Sequence, residues 1–126
     1  MLQDDWIFRR GDLYLADLGD PGGSKQGGLR PVVILQNNRA NHYAPTVTLA
    51  PLTSNIEKKY RQPTHYYLEK AKGLSKPSTV LTEQIETLDK KFIIRYLGRV
   101  SAGQMRGIER AVKTHLDLHT DRKSNE

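Results

Sequence analysis

The chain has 126 residues, 37% of them hydrophobic, and a formal net charge of +6, which suits one domain with one modest core and is short for two. It contains no cysteine, excluding a disulfide framework, a thiolate nucleophile and a thiolate metal site. Its first residues carry acids where a secretory signal needs a basic region, and no apolar run nears the roughly 18 residues of a membrane span, so the expectation is a cytoplasmic chain with no membrane partner.

Taken in chain order, residues 1–6 are polar apart from Leu2 and Trp6 and are expected to fray. "GDLYLAD", 11–17, alternates at period two and predicts a strand. The glycine-rich loop 19–28 follows, and then "PVVILQ", 31–36, reads as a strand buried on both faces with Pro31 at its first residue. "NNRANHY" is too polar for a strand and predicts a turn or short helix. "TVTLAPLT", 46–53, is another strand, in which Pro51 suggests an edge or a bulge. Beyond it, "PTHYYLE" and "STVLTEQIETL" predict further strands separated by a Gly/Pro-punctuated loop.

The last third changes character. Asp89 can cap a short helix over "KKFIIRYL", and Ser101 with Gln104 has capping-box spacing ahead of a longer one. In that helix Met105, Ile108, Val112, Leu116 and His119 recur at three and four, an apolar face to lay on the sheet. Residues 120–126 are again polar and expected to fray. The pattern predicts a mostly β fold with appended helices (α+β): a small barrel or strongly curved antiparallel sheet, in one domain spanning 1–126.

The positive charge is uneven. Residues 1–30 hold four Lys/Arg against five Asp/Glu, whereas 55–76 hold six against two. Tyr60, Tyr66 and Tyr67 interleave with that basic middle, a combination that pairs phosphates and stacks unpaired bases, or simply forms a solvated hairpin with its tyrosines half in the core. Two local motifs fail in context. "GSK" lacks the Gly-Lys-Ser/Thr order of a P-loop and precedes no helix, and "RGD" at 10–12 opens a predicted strand. His115 and His119 have the spacing of a two-histidine metal face, but "HLDLH" lacks the zinc-protease glutamate and a third ligand, so no metal or other cofactor is expected.

"RRGDLYLADL", "GSKQGGLRPVVILQNN", "APLTS", "PTHYYLE" and "VLTEQIETLD", in this order and spacing, resemble the MazF/PemK toxin family, in particular its Gram-positive MazF branch, from about Arg9 to Leu118. The resemblance implies an SH3-like barrel with helices, a homodimer, and a metal-independent, sequence-specific endoribonuclease (mRNA interferase) restrained by a cognate MazE-like antitoxin with an acidic, flexible segment.

Metal-free cleavage of single-stranded RNA can use the RNA's own 2′-hydroxyl as nucleophile. Such a site needs charge stabilisation on the phosphoryl oxygens, a proton acceptor and a proton donor. Arg30 suits the first role, because guanidinium is planar, always charged and able to bond two phosphate oxygens, and its family counterpart is catalytic. Thr53 matches the family's second catalytic position and is expected to hydrogen-bond the scissile phosphate or the 2′-oxygen.

The acid and base are open. The Kid-type branch uses a loop histidine, an arginine and an aspartate, whose matching positions here are Ser24, Leu81 and Glu83. Leu81 cannot replace an arginine, Glu83 is a candidate base, and His65 is another candidate proton carrier, since histidine as a residue type titrates near neutrality. Ser24, Gln26, Gly27, Gly28, Asn37 and Gln84 are the expected RNA contacts, with glycine letting backbone approach RNA closely. Two other functions fit the same architecture: a CcdB-like protein-binding gyrase inhibitor without catalysis, and an inactive RNA-binding barrel.

Overall fold

The computed structural model describes residues 2–55 and 62–118. Its strands are β1 (Asp12–Asp17), β2 (Leu29–Ile34), β3 (Thr46–Thr53), β4 (His65–Leu68), β5 (Ser78–Leu81), β6 (Glu86–Asp89) and β7 (Ile93–Arg99). Helix α1 (Asn38–Tyr43) links β2 to β3, and α2 (Ala102–Leu116) follows β7. The strands form one antiparallel sheet in the order β4-β5-β3-β2-β1-β7, with β6 branching from β3. The sheet is curved but not closed: β4 ends the path on one side and β7 on the other. Register shifts between Leu13 and Tyr14 and between Leu15 and Ala16 bend β1 against β7, the effect expected of bulges.

Strand β3 is the longest, and its eight residues serve three neighbours. One side pairs with β2, while the other takes β6 along Thr46–Leu49 and β5 at Leu52 and Thr53. Pro51 therefore lies in a central strand, contrary to the edge position it suggested. Thr48 C=O accepts from Leu35 N–H on the β2 side, so strand alternation points the nitrogen of residue 51 toward the gap between β5 and β6. No ladder bond is required there.

The helix expected over 90–97 is a correction. Only Lys90–Phe92 turns, as a 3-10 turn, and Asp89 makes no side-chain cap. Ile93 onward is β7, because β-branched and aromatic residues suit a pleated surface and the free edge of β1 supplies hydrogen-bond partners. A second 3-10 turn, Thr82–Gln84, interrupts the long strand expected over 78–88.

Each face of the sheet has its own core. One holds Phe8, Tyr14, Val32, Ile34, Val47, Leu49 and Ile93, with Leu2 packed against it. The other holds Leu13, Val33, Leu52, Leu68, Val80 and Ile108 and is covered by α2. Ser101 accepts from Gln104 N–H at 3.0 Å while Gln104 Oε1 accepts from Ser101 N–H at 2.8 Å, the expected capping box. Met105, Ile108 and Val112 pack as expected, but Leu116 is 49% exposed. Small Gly107 and Ala111 are buried instead, drawing the helix close to Tyr66, whose ring leaves no room for a side chain at 107. His119 and residues 120–126 lie outside the described residues, so the 115/119 pair is not seen together. Among the described residues no helix is long and apolar enough to cross a membrane.

Residues expected to fray at the start are tied down at Trp6. Its Nε1–H donates to the Tyr14 hydroxyl at 2.8 Å, and its ring lies 5.4 Å from that of Tyr96. Tyr14 in turn donates to Asp12 Oδ2 at 2.7 Å, and Arg99 holds the other Asp12 oxygen at 3.3 Å. Burial, and then the neighbouring Asp12 carboxylate, push the Tyr14 phenol well above the ordinary tyrosine range. The folded chain therefore keeps this proton at a pH where the unfolded chain loses it. Its contribution is complete below the ordinary tyrosine pKa of about 10 and declines as pH rises beyond that value. Urea unfolding between about pH 8 and pH 11 should show the wild type losing stability at the alkaline end more steeply than Tyr14→Phe.

Candidate functional site

Strand register gathers the site. Val32 pairs with Pro51, and the same register continued by two residues sets Arg30 across from Thr53, on the face that carries Val32, Ile34, Val47 and Leu49. Thr53 pairs with Thr79, and Thr79 with Tyr67. One step along, Leu81 pairs with His65, and on the β6 branch Leu49 pairs with Glu86. The first core face thus passes from an apolar half into a polar one built by Arg30, Thr53, Tyr67, His65 and Glu86.

The glycine-rich loop closes over this polar half. Leu18 N–H donates to Gly28 O at 2.9 Å and Gly28 N–H to Gly19 O at 2.8 Å, pinching its base. Gly28 sits at φ +70°, where a side chain is strained, and a Cβ at Gly27 would come within 2.2 Å of Pro21 Cδ. These glycines shape the loop as well as leaving backbone open. Two bonds then hold it to the segment after β5: Gln26 N–H donates to Gln84 Oε1 at 2.7 Å, and Lys25 Nζ lies 3.0 Å from Glu86 Oε1. Gln26 Oε1 and Glu86 Oε2 are buried acceptors with no partner among the described residues.

Arg30 Nε–H donates to Gly27 O at 3.1 Å. Among the described residues no carboxylate pairs with Arg30, and no acceptor takes its two terminal amino groups. The guanidinium is oriented by the loop yet keeps its bidentate edge for an anion. Thr53 Oγ1 accepts from Asn55 N–H at 3.2 Å, which leaves its O–H able to donate.

Glu83 and His65 form a second unit. His65 Nε2 lies 3.0 Å from Glu83 Oε2, and Thr64 Oγ1–H donates to Glu83 Oε1 at 3.3 Å. The Thr82 hydroxyl donates to Thr64 O at 2.6 Å, bracing the strand start beneath. Both oxygens of Glu83 are thereby oriented, and the His65 side chain is only 17% exposed.

The remaining expected contacts divide. Gln26, Gly27, Gly28 and Gln84 belong to the loop and its clasp, and Ser24 is exposed on the loop. Asn37 is not brought in: it lies seven residues beyond Arg30, past the far end of β2, about 23 Å at strand rise. Its side-chain oxygen caps α1 by accepting from Ala40 N–H at 2.9 Å. Tyr66 packs under α2, whereas Tyr67 is 41% exposed on the polar face. Tyr60, Lys58, Lys59 and Arg61 lie outside the described residues. Sequence reasoning missed Glu86, whose only signal is its alternation with Leu88 along "IETL". Among the described residues no three His, Cys, Asp or Glu side chains cluster in a way that could hold a metal.

The family model for PemK-like, MazF-like toxins of type II toxin–antitoxin systems matches residues 9–116. An endoribonuclease MazF from Staphylococcus saprophyticus is 48% identical over 117 residues, 92% of this chain and 97% of that protein. Among solved structures, a mycobacterial endoribonuclease in complex with its cognate antitoxin superposes with a TM-score of 0.75 at 30% identity, covering 90% of this chain and 98% of that one. MazF from Deinococcus radiodurans superposes with a TM-score of 0.77 at 21% identity, covering 90% and 99%, a likeness of fold.

Replacing Gln84 by alanine removes the acceptor that holds the loop at Gln26. Amide hydrogen exchange at Gln26 should quicken roughly tenfold, as expected for one lost hydrogen bond of about 1–1.5 kcal/mol, while amides of β2 and β3 stay protected.

Proposed function

The chain belongs to the PemK-like, MazF-like toxin family of type II toxin–antitoxin systems, and from that premise we propose that it is an endoribonuclease that cuts single-stranded RNA at a short sequence by attack of the 2′-oxygen on the adjacent phosphorus, and thereby arrests translation and growth. The observation that carries this reading is Arg30: a guanidinium oriented through Nε, unneutralised by any described carboxylate, and set by register across from the Thr53 hydroxyl.

In the reaction the 2′-O–H loses its proton, the new 2′-O–P bond forms, and the P–O5′ bond breaks. The immediate products are a 2′,3′-cyclic phosphate and a 5′-hydroxyl. Negative charge gathers on the non-bridging oxygens as phosphorus becomes five-coordinate. Arg30 stabilises it with its two terminal amino groups, and Thr53 donates to the phosphate or the 2′-oxygen, holding the line of attack. Neither step calls on a metal ion, so cleavage should proceed in EDTA.

Glu83 and His65 supply the proton traffic. The carboxylate accepts the 2′-proton, and the imidazole in contact with it carries a proton toward the leaving 5′-oxygen. Tyr67 offers an exposed ring for stacking an unpaired base, and Ser24, Gln26 and Gln84 read base edges from the loop and its clasp. Asn37, turned to capping α1, contributes to the fold. The active unit is a cytoplasmic homodimer, which the exposed aromatic pair of Trp6 and Tyr96 helps to seat. It is restrained by an antitoxin whose acidic segment covers the loop and the basic surface, in keeping with the antitoxin complex of the mycobacterial relative.

Purified Arg30→Ala and Thr53→Ala, assayed on long RNA in EDTA, should each lose at least about a hundredfold in kcat while keeping the wild-type melting temperature. Undiminished cutting by both would refute the mechanism, and a wild type that retains RNA without cutting it would make the chain a binding module. Glu83→Gln and His65→Gln should each lower kcat by roughly 10²-fold with KM little changed.

A further inference from the structure

Away from the polar face, the loop between β4 and β5 and the start of α2 enclose a cleft of about 860 Å³. It is lined by Glu69, Lys70, Lys72 and Lys76 of the loop, by Arg99, and by the capped first turn of α2. A smaller cleft of about 360 Å³ shares Arg99 and Ser101 and adds Arg106. The three lysines are exposed, and among the described residues none has a salt-bridge partner; the nearby Glu109 is taken by Arg10 at 2.7 Å and Arg99 by Asp12 at 3.3 Å. With Glu69 the one carboxylate in its lining and three lysines against it, the cleft carries a net positive charge.

The backbone that carries the lysines is held in place. Lys72 bridges to Arg99 across the sheet end. The crossing is so close that a Cβ at Gly73 or Gly98 would meet carbonyl oxygen at 1.9 Å. Gln104 Nε2–H donates to Lys70 O at 2.7 Å, tying the same loop to α2. A loop pinned at both ends adds little backbone ordering cost on binding.

We propose that this cleft is a second anchoring site for the RNA substrate, binding the phosphodiester backbone of the strand that flanks the cut; the proposal rests on the ribonuclease reading above. Thr53, Thr79 and Tyr67 form one cross-strand row, and Lys76 precedes Thr79 by three residues in the loop that leads into β5, within about 10 Å by chain reach. A strand leaving Thr53 over Tyr67 reaches the hairpin tip and turns into the cleft. Lysine serves there as a point charge for phosphate and carries no base preference, so the anchor is independent of the sequence cut. An acidic polypeptide would meet the same charges, but the row leading out of the active face favours the substrate.

The test uses the full-length triple variant Lys70→Gln/Lys72→Gln/Lys76→Gln and its charge-reversed form with glutamate, each checked for the wild-type melting temperature. Binding of poly(U) of about 40 nucleotides is measured against salt; losing three phosphate contacts should flatten the log–log slope by about two, so dilution from about 200 to about 50 mM salt gains roughly 16-fold less affinity than in the wild type. Poly(U) of about 8 nucleotides, too short to span both sites, should bind with little change. On long cellular RNA kcat/KM should fall severalfold with kcat retained, and further in the charge-reversed variant. An unchanged slope for long poly(U), or loss of polyglutamate binding with poly(U) binding intact, would overturn the proposal, the second result making the cleft a protein-docking site. If the wild type cuts no RNA, the ribonuclease reading fails, while the poly(U) slope still reports on the cleft.

Discussion

The antiparallel register between β2 and β3 is the constraint from which the rest follows. Because paired strands share the parity of their side chains, Val32 opposite Pro51 decides at once which residues enter the core and which stand beyond it. Slipping that register by one residue would turn either Val32 and Ile34 or Val47 and Leu49 out of the first core and carry Arg30 and Thr53 to opposite faces. The apolar half of the face thus stabilises the alignment that the polar half needs. Pro51 fits because β3 changes partners at that point and leaves its nitrogen without a bond to make.

Around this pair the chain spends its polar groups on orientation. The loop would be floppy on composition, yet a pinched base, a backbone bond to Gln84 and a charge pair to Glu86 hold it over the polar face. Arg30 is linked to that loop through one nitrogen and keeps two for a ligand. The site is therefore positioned by a sheet and adjusted by a loop, so that events at the loop reach the arginine through the Gly27 carbonyl.

Much of this was legible in the chain. The strand that follows Pro31, which the structure starts two residues earlier at Leu29, the capping box of α2 and the family motifs all depend on local spacing, which a linear sequence displays directly. What failed did so for tertiary reasons. Residues 90–97 follow an aspartate of capping type, but β1 offered an unpaired edge and β-branched residues took it. Trp6 is isolated in a polar tail and reads as frayed until Tyr14 and Tyr96 are brought beneath it. Asn37 stands next to the strand of Arg30 in sequence, but at its opposite end in space. Glu86 was passed over because nothing local reveals that Lys25, 61 residues earlier, comes to lie 3.0 Å away.

By itself, then, the sequence determined most of the strands and the capped C-terminal helix, the absence of thiol chemistry, the basic balance and the family, since each depends on residue identity or on neighbours a few positions apart. The tertiary structure alone decided the register that sets Arg30 across from Thr53, that His65 contacts Glu83, that the loop is clasped at Gln84 and Glu86, and that three lysines line one cleft. Those are contacts between distant segments, and they exist only once β3 has chosen its three partners.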